Sequence, residues 1–155
     1  MQKYGKHAVR GLVGLSLLIG ATPAAAAGGC WNEKTVAAAK VRDLQTVMMV
    51  GALQCRNSEH DVLTHYNKFI KAHRVAITSH NDVLKTHFKT SSHVRDYDKF
   101  TTALANSRSV DAADPAFCER TAALARELAA ADRAKVEEIA VRTIATPKGV
   151  GRTCS

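Results

Sequence analysis

Six of the seven histidines of this 155-residue chain lie between residues 60 and 93. Three of them, His73, His80 and His87, recur every seven residues and so form one row on a helix. Imidazole can ligate a metal, titrate near pH 6.5, or hydrogen-bond a neighbour within a packed seam. Seven helical residues rise about 10.5 Å, so no two neighbours in the row can share one ion directly. No His-x-x-x-His pair occurs, and His60 and His65 stand five apart. A metal would need ligands from other elements, such as Asp43, Met48, Met49 or Glu127. Haem would need Met48 or Met49 opposite a seam histidine, in a chain that is only 5% aromatic. No metal or cofactor is therefore expected. The row suits a structural role or a pH sensor, because three imidazoles in one buried seam would charge together on acidification and loosen it.

The four cysteines, Cys30, Cys55, Cys118 and Cys154, offer no Cys-x-x-Cys and no haem-attachment pattern. An even set suits two disulfides if the chain is exported. The first 27 residues predict export. Lys3, Lys6 and Arg10 precede the apolar run Gly11 to Gly20, and Pro23 with small residues then leads to Cys30. This is the order of a secretory signal peptide, and the run is too short to span a bilayer. Residues 28–155, about 128 in all, are expected to form one periplasmic or secreted helical domain with an irregular tail over 147–155. Lipidation of Cys30 fits poorly, because Ala27-Gly28-Gly29 lacks the expected Leu or Val and one of the remaining three cysteines would be stranded.

Four helices are predicted to position these side chains. The first runs from Asn32, as N-cap, to Cys55, with Ala37, Val41, Leu44, Met48 and Ala52 on its apolar face. Ser58 with Asp61 reads as a capping box for a second helix reaching Lys89. That helix carries Leu63, Ile70, Ile77 and Leu84 every seventh residue, beside a second row of Tyr66, His73, His80 and His87. Ser91 or Ser92 caps a shorter third helix carrying Val94, Tyr97, Phe100 and Leu104, and Asn106 to Ala113 reads as a loop. Asp114-Pro115 starts a fourth helix that ends before Pro147. Three long rods and a short one give an all-α, up-and-down four-helix bundle. In that order Cys55 and Cys118 share one end, and Cys30 and Cys154 the other. Cys30–Cys55 would have to span a whole helix, far beyond the roughly 6 Å between α-carbons that a disulfide permits.

Removing Lys3, Lys6 and Arg10 lowers the net charge from +8 to about +5, still basic. For an exported protein this points away from nucleic acid and toward an envelope protein or an anionic envelope component met by the second helix. No Gly-x-Ser-x-Gly elbow, phosphate loop or His-Glu-x-x-His is present, and cysteines held in disulfides supply no thiol nucleophile, so catalysis is not expected. Neither a transmembrane segment nor a particular oligomeric state is predicted.

The Cys30-Trp31 opening and the pattern that follows it to about residue 90, with four cysteines, resemble a family of small exported helical bacterial proteins. The resemblance implies an exported helical fold and no activity. Some such chains carry a label borrowed from S-adenosylhomocysteine hydrolase, but a short exported chain without a dinucleotide-binding glycine pattern cannot house that enzyme. The expected function is binding, with an acid-responsive chaperone and a metal- or haem-carrying protein as alternatives.

Overall fold

The computed structural model describes residues 29–90 and 94–154. The expected signal segment 1–27, Ser91 and Ser92 expected to cap the third helix, and His93 lie outside the described residues. Among the described residues the chain is all-helical, with five α-helices and one 3-10 turn, and two disulfides.

Helix α1 (Glu33–Gln54) starts where the Asn32 side chain accepts from the Thr35 N–H at 2.9 Å. It touches all four other helices and is buried on several faces rather than one. Its run of Ala38, Ala39, Gly51 and Ala52 leaves room for close neighbours. At its C-terminus Ser58 donates to the Cys55 carbonyl at 2.8 Å. Ser58 therefore closes the turn after α1 and does not open the second helix. The reversal falls at Asp61, whose φ of +49° is left-handed, and α2 (Val62–Thr90) follows.

The buried face of α2 is Val62, Phe69, His73, Ile77, Leu84 and Phe88. The seven-residue row expected from the sequence holds at Ile77 and Leu84 but fails at Leu63, which is 47% exposed. A straight helix drifts about 20° per heptad, so a strict seven-residue row leaves the interface over four repeats.

Helix α3 (Val94–Asp111) includes residues 106–111, which composition assigned to a loop. The guanidinium of Arg108 grips Asp43 of α1 through Nε–Oδ1 at 2.8 Å and Nη2–Oδ2 at 2.5 Å, and Asp111 at 2.8 Å. This tertiary anchor outweighs the weak local propensity of the segment. Asp114 then accepts from the Ala116 N–H at 2.8 Å, and α4 (Phe117–Ala130) begins beyond Pro115 rather than at it.

The expected fourth helix is broken. Ala131 and Asp132 are extended, with ψ of 149° and 152°. A 3-10 turn (Arg133–Lys135) and helix α5 (Val136–Thr143) follow. In an unbroken helix the Leu128 carbonyl would accept from residue 132. Here the imidazole Nε2 of His73 reaches it at 2.8 Å, which satisfies the orphaned acceptor.

Cys55 is joined to Cys118 and Cys30 to Cys154, with α-carbons 5.6 and 5.1 Å apart; these are the pairs implied by helix direction. The tail is held by one isolated parallel bridge between Trp31 and Thr153. The core has two parts. The larger one is mostly aliphatic and gathers Leu44, Met48, Val62, Phe69, Leu128 and Ile139. The smaller one, at the Cys30–Cys154 end, is rich in rings: Trp31, Phe88 and Phe100 with Leu84 and Leu104.

Candidate functional site

The three histidines of the row meet three different environments. His73 is buried, packs on Phe69 with ring centres 5.6 Å apart, and caps α4 as described. His80 is half-buried, with Nε2 3.4 Å from Glu137 of α5. Burial lowers its pKa, the Glu137 carboxylate works against that shift, and nearby Lys34 adds to it. His87 is half-buried against Trp31, ring centres 4.4 Å apart, and burial lowers its pKa as well.

The side chains that could have completed a metal site are apart from this row. Met48 is buried in the aliphatic core, Met49 is partly exposed, Asp43 binds Arg108, and Glu127 pairs with Arg142. His60 lies in the turn before α2, where its N–H meets the Ser58 hydroxyl at 3.4 Å. His65 is half-buried on α2. Among the described residues no three His, Cys, Asp or Glu side chains converge on a metal-sized site. The Asp43–Arg108 pair is a structural tie. Hydrogen bonding to Asp43 pushes the Arg108 pKa up against the opposing effect of burial, and Asp111 adds to the rise.

An open groove of about 1040 Å³ runs along one face of α2, walled by the start of α1. From Arg74 to Thr90 the helix rises roughly 24 Å, so the groove is long enough for an extended ligand. Its cations are Lys34 and Arg74. Hydroxyls from Thr78, Ser79 and Thr86 run along it, Val75 and Val83 supply apolar surface, and His87 lines it as well. The one carboxylate on the α2 side, Asp82, lies 3.5 Å from Lys85. Cations combined with hydroxyls and short aliphatic patches can hold an anionic, hydroxylated chain through charge-assisted and neutral hydrogen bonds.

Of the row, only His87 reaches the groove. Sequence reasoning missed Lys34, Arg74 and the hydroxyls. A signal was present in the recurrence of Thr78, Asp82, Thr86 and Thr90 every fourth residue, a polar stripe on one helical face. Among the described residues no helix is long and apolar enough to cross a membrane. Two disulfides suit an oxidising compartment. Comparison with family models, curated proteins and solved structures finds no match to this chain.

Proposed function

We propose that the protein is an exported, non-enzymatic binding protein of the bacterial periplasm or exterior, carried on an up-and-down helical frame. Its ligand is an extended, anionic, hydroxyl-rich component of the cell envelope, held in the groove between α1 and α2. The observation that carries this reading is the groove itself, which sets Lys34 and Arg74 beside a line of Thr and Ser hydroxyls. The basic balance of the chain, +8 before removal of the signal segment, supports an anionic partner.

The test is calorimetric titration of the periplasm-purified protein with a phosphorylated envelope oligosaccharide at low and high salt. Binding is expected to be saturable and to weaken with salt, because exposed charges are screened. Arg74→Glu should weaken it at least about tenfold, equivalent to about 1.4 kcal/mol. Absence of binding, or full affinity in Arg74→Glu, overturns the reading.

A second reading, an acid-responsive chaperone, draws on the position of His80 between α2 and Glu137 of α5, with Lys34 close by. Burial outweighs the Glu137 carboxylate there, so protonation opposes the closed packing and adds positive charge beside Lys34. If the chaperone reading holds, ANS fluorescence rises between about pH 7 and about pH 4 as apolar surface opens. A flat ANS signal removes it.

A further inference from the structure

Lys34 lines two concavities at once, the groove along α2 and a second pocket of about 620 Å³ on its other side. The second pocket lies between α1, α5 and the C-terminal tail. Its surface is mainly apolar, from Trp31, Val36, Ala37 and Val141, and Thr153 and Cys154 of the tail also line it. Val141 is 46% exposed although it is a large aliphatic side chain. The volume falls within the range of about 300–1,000 Å³ usual for small-ligand sites.

The charges around this pocket decide what can enter it. The Lys40 ammonium already donates to the Val141 carbonyl at 3.0 Å. Glu33 and Glu137 also line the pocket and oppose an anion inside. An apolar, uncharged group suits the interior, and an anionic group suits the Lys34 side and the groove beyond.

Building on the groove reading, we propose that the ligand is an anionic amphiphile. Its charged, hydroxylated head lies in the groove, and its alkyl tail passes Lys34 into the pocket beside Trp31. Each methylene that enters the pocket should raise affinity roughly fourfold until the pocket is full.

Trp31 is the single tryptophan of the chain and lines the pocket, so it reports on occupancy. The experiment titrates the purified protein with hexyl, octyl and decyl phosphate, each below its micelle concentration, at about pH 8, where imidazole is neutral. Inorganic phosphate serves as the headgroup alone. Affinity should climb along the series, with a saturable change in Trp31 emission, and inorganic phosphate should cause none. Ala37→Phe, which fills the pocket, and Val141→Lys, a surface change that makes its wall polar, should each return decyl phosphate to the affinity of hexyl phosphate. Val141→Lys keeps the test sound if Ala37→Phe does not fold.

Equal affinity across the series, or decyl phosphate binding untouched by both variants, overturns the proposal. The groove reading survives that result if the phosphorylated oligosaccharide still binds in an Arg74-dependent way, and falls if it does not. Displacement of decyl phosphate by a short-chain phosphatidylglycerol identifies a phospholipid as the source of the amphiphile. Displacement by a short acylated sugar phosphate identifies a glycolipid. Displacement by neither overturns the proposal.

Discussion

The two disulfides close two ends of the molecule that are built in opposite ways. At the Cys55–Cys118 end Cys55 is buried, and α1 and α4 approach so closely that a β-carbon on Gly51 would lie 2.3 Å from Cγ2 of Thr121. A cavity of about 390 Å³ does occur there, but the arginines on its wall are already engaged. Arg108 holds Asp43 and Asp111, and Arg120 holds Asp114. At the Cys30–Cys154 end both cysteines are exposed, and the small core is a cluster of rings around Trp31. The groove and the apolar pocket both open beside that cluster. One end spends its charges and volume on itself, and the other leaves cations and apolar walls facing outward. On the proposed reading the first is scaffold and the second is the binding surface.

The contrast breaks most visibly at Asp43. Its carboxylate is 1% exposed on α1 and is held in a fork by Arg108 of α3. Asp43→Ala removes the principal partner of a guanidinium that is 23% exposed and still holds Asp111. The loss should be about 1.5–3 kcal/mol, the range for hydrogen bonds to charged groups. A urea melt should show that loss as a lower midpoint. Adding Arg108→Met should recover part of it, because the guanidinium left facing the emptied Asp43 site is then gone. Lys34→Ala at the other end should stay within about 0.5 kcal/mol of the parent. A small effect at Asp43 would mean that the scaffold end does not depend on its internal ion pair.

Two glycines sharpen the same contrast at lower cost. Gly51→Ala drives a methyl into Thr121 and should destabilise by about 1–3 kcal/mol through overpacking. Thr121→Ala in the same chain should relieve part of that strain. At the open end a β-carbon on Gly29 would meet Cε1 of His87 at 3.6 Å, an ordinary contact, so Gly29→Ala should lie within about 0.5 kcal/mol. Equal melting temperatures for the two glycine variants would remove the claim that the ends differ in packing.

Most features set by neighbours in sequence were legible, the Ser58–Asp61 box excepted, whereas most set by distant side-chain partners were not. Asn32 and Cys55 bracket α1 because a cap acts within three or four residues. The cysteine pairs follow from helix order, since a helix fixes how far its two ends lie apart. The break at Ala131–Asp132 has no proline or glycine to announce it. The carbonyl it frees, on Leu128, is satisfied by His73, 55 residues away. The helicity of residues 106–111 depends on Arg108 finding Asp43 across 65 residues. The groove was hidden for the same reason, because Lys34 and Arg74 come from different helices and only the fold sets them on one surface. The histidine row was visible, but its seven-residue spacing said nothing of the three environments into which packing divides it.

Acid tests whether the open end is also the softer one. His80 and His87 both have pKa values lowered by burial, so the unfolded chain, with imidazole near 6.5, binds protons more readily than the folded one. Stability from these groups is therefore complete above about pH 6.5 and is lost as pH falls through their folded values. Both rings are half-exposed, so solvent screening keeps the effect small. A series of thermal melts should be level from about pH 8 to about pH 7 and then decline below about pH 6.5. His80→Gln with His87→Gln should flatten the decline in that window, where Asp and Glu side chains of ordinary pKa remain ionised. A decline unchanged in the double variant would place the acid-sensitive groups elsewhere and separate pH response from the groove. A flattened curve would tie the two together, because His87 forms part of the groove wall.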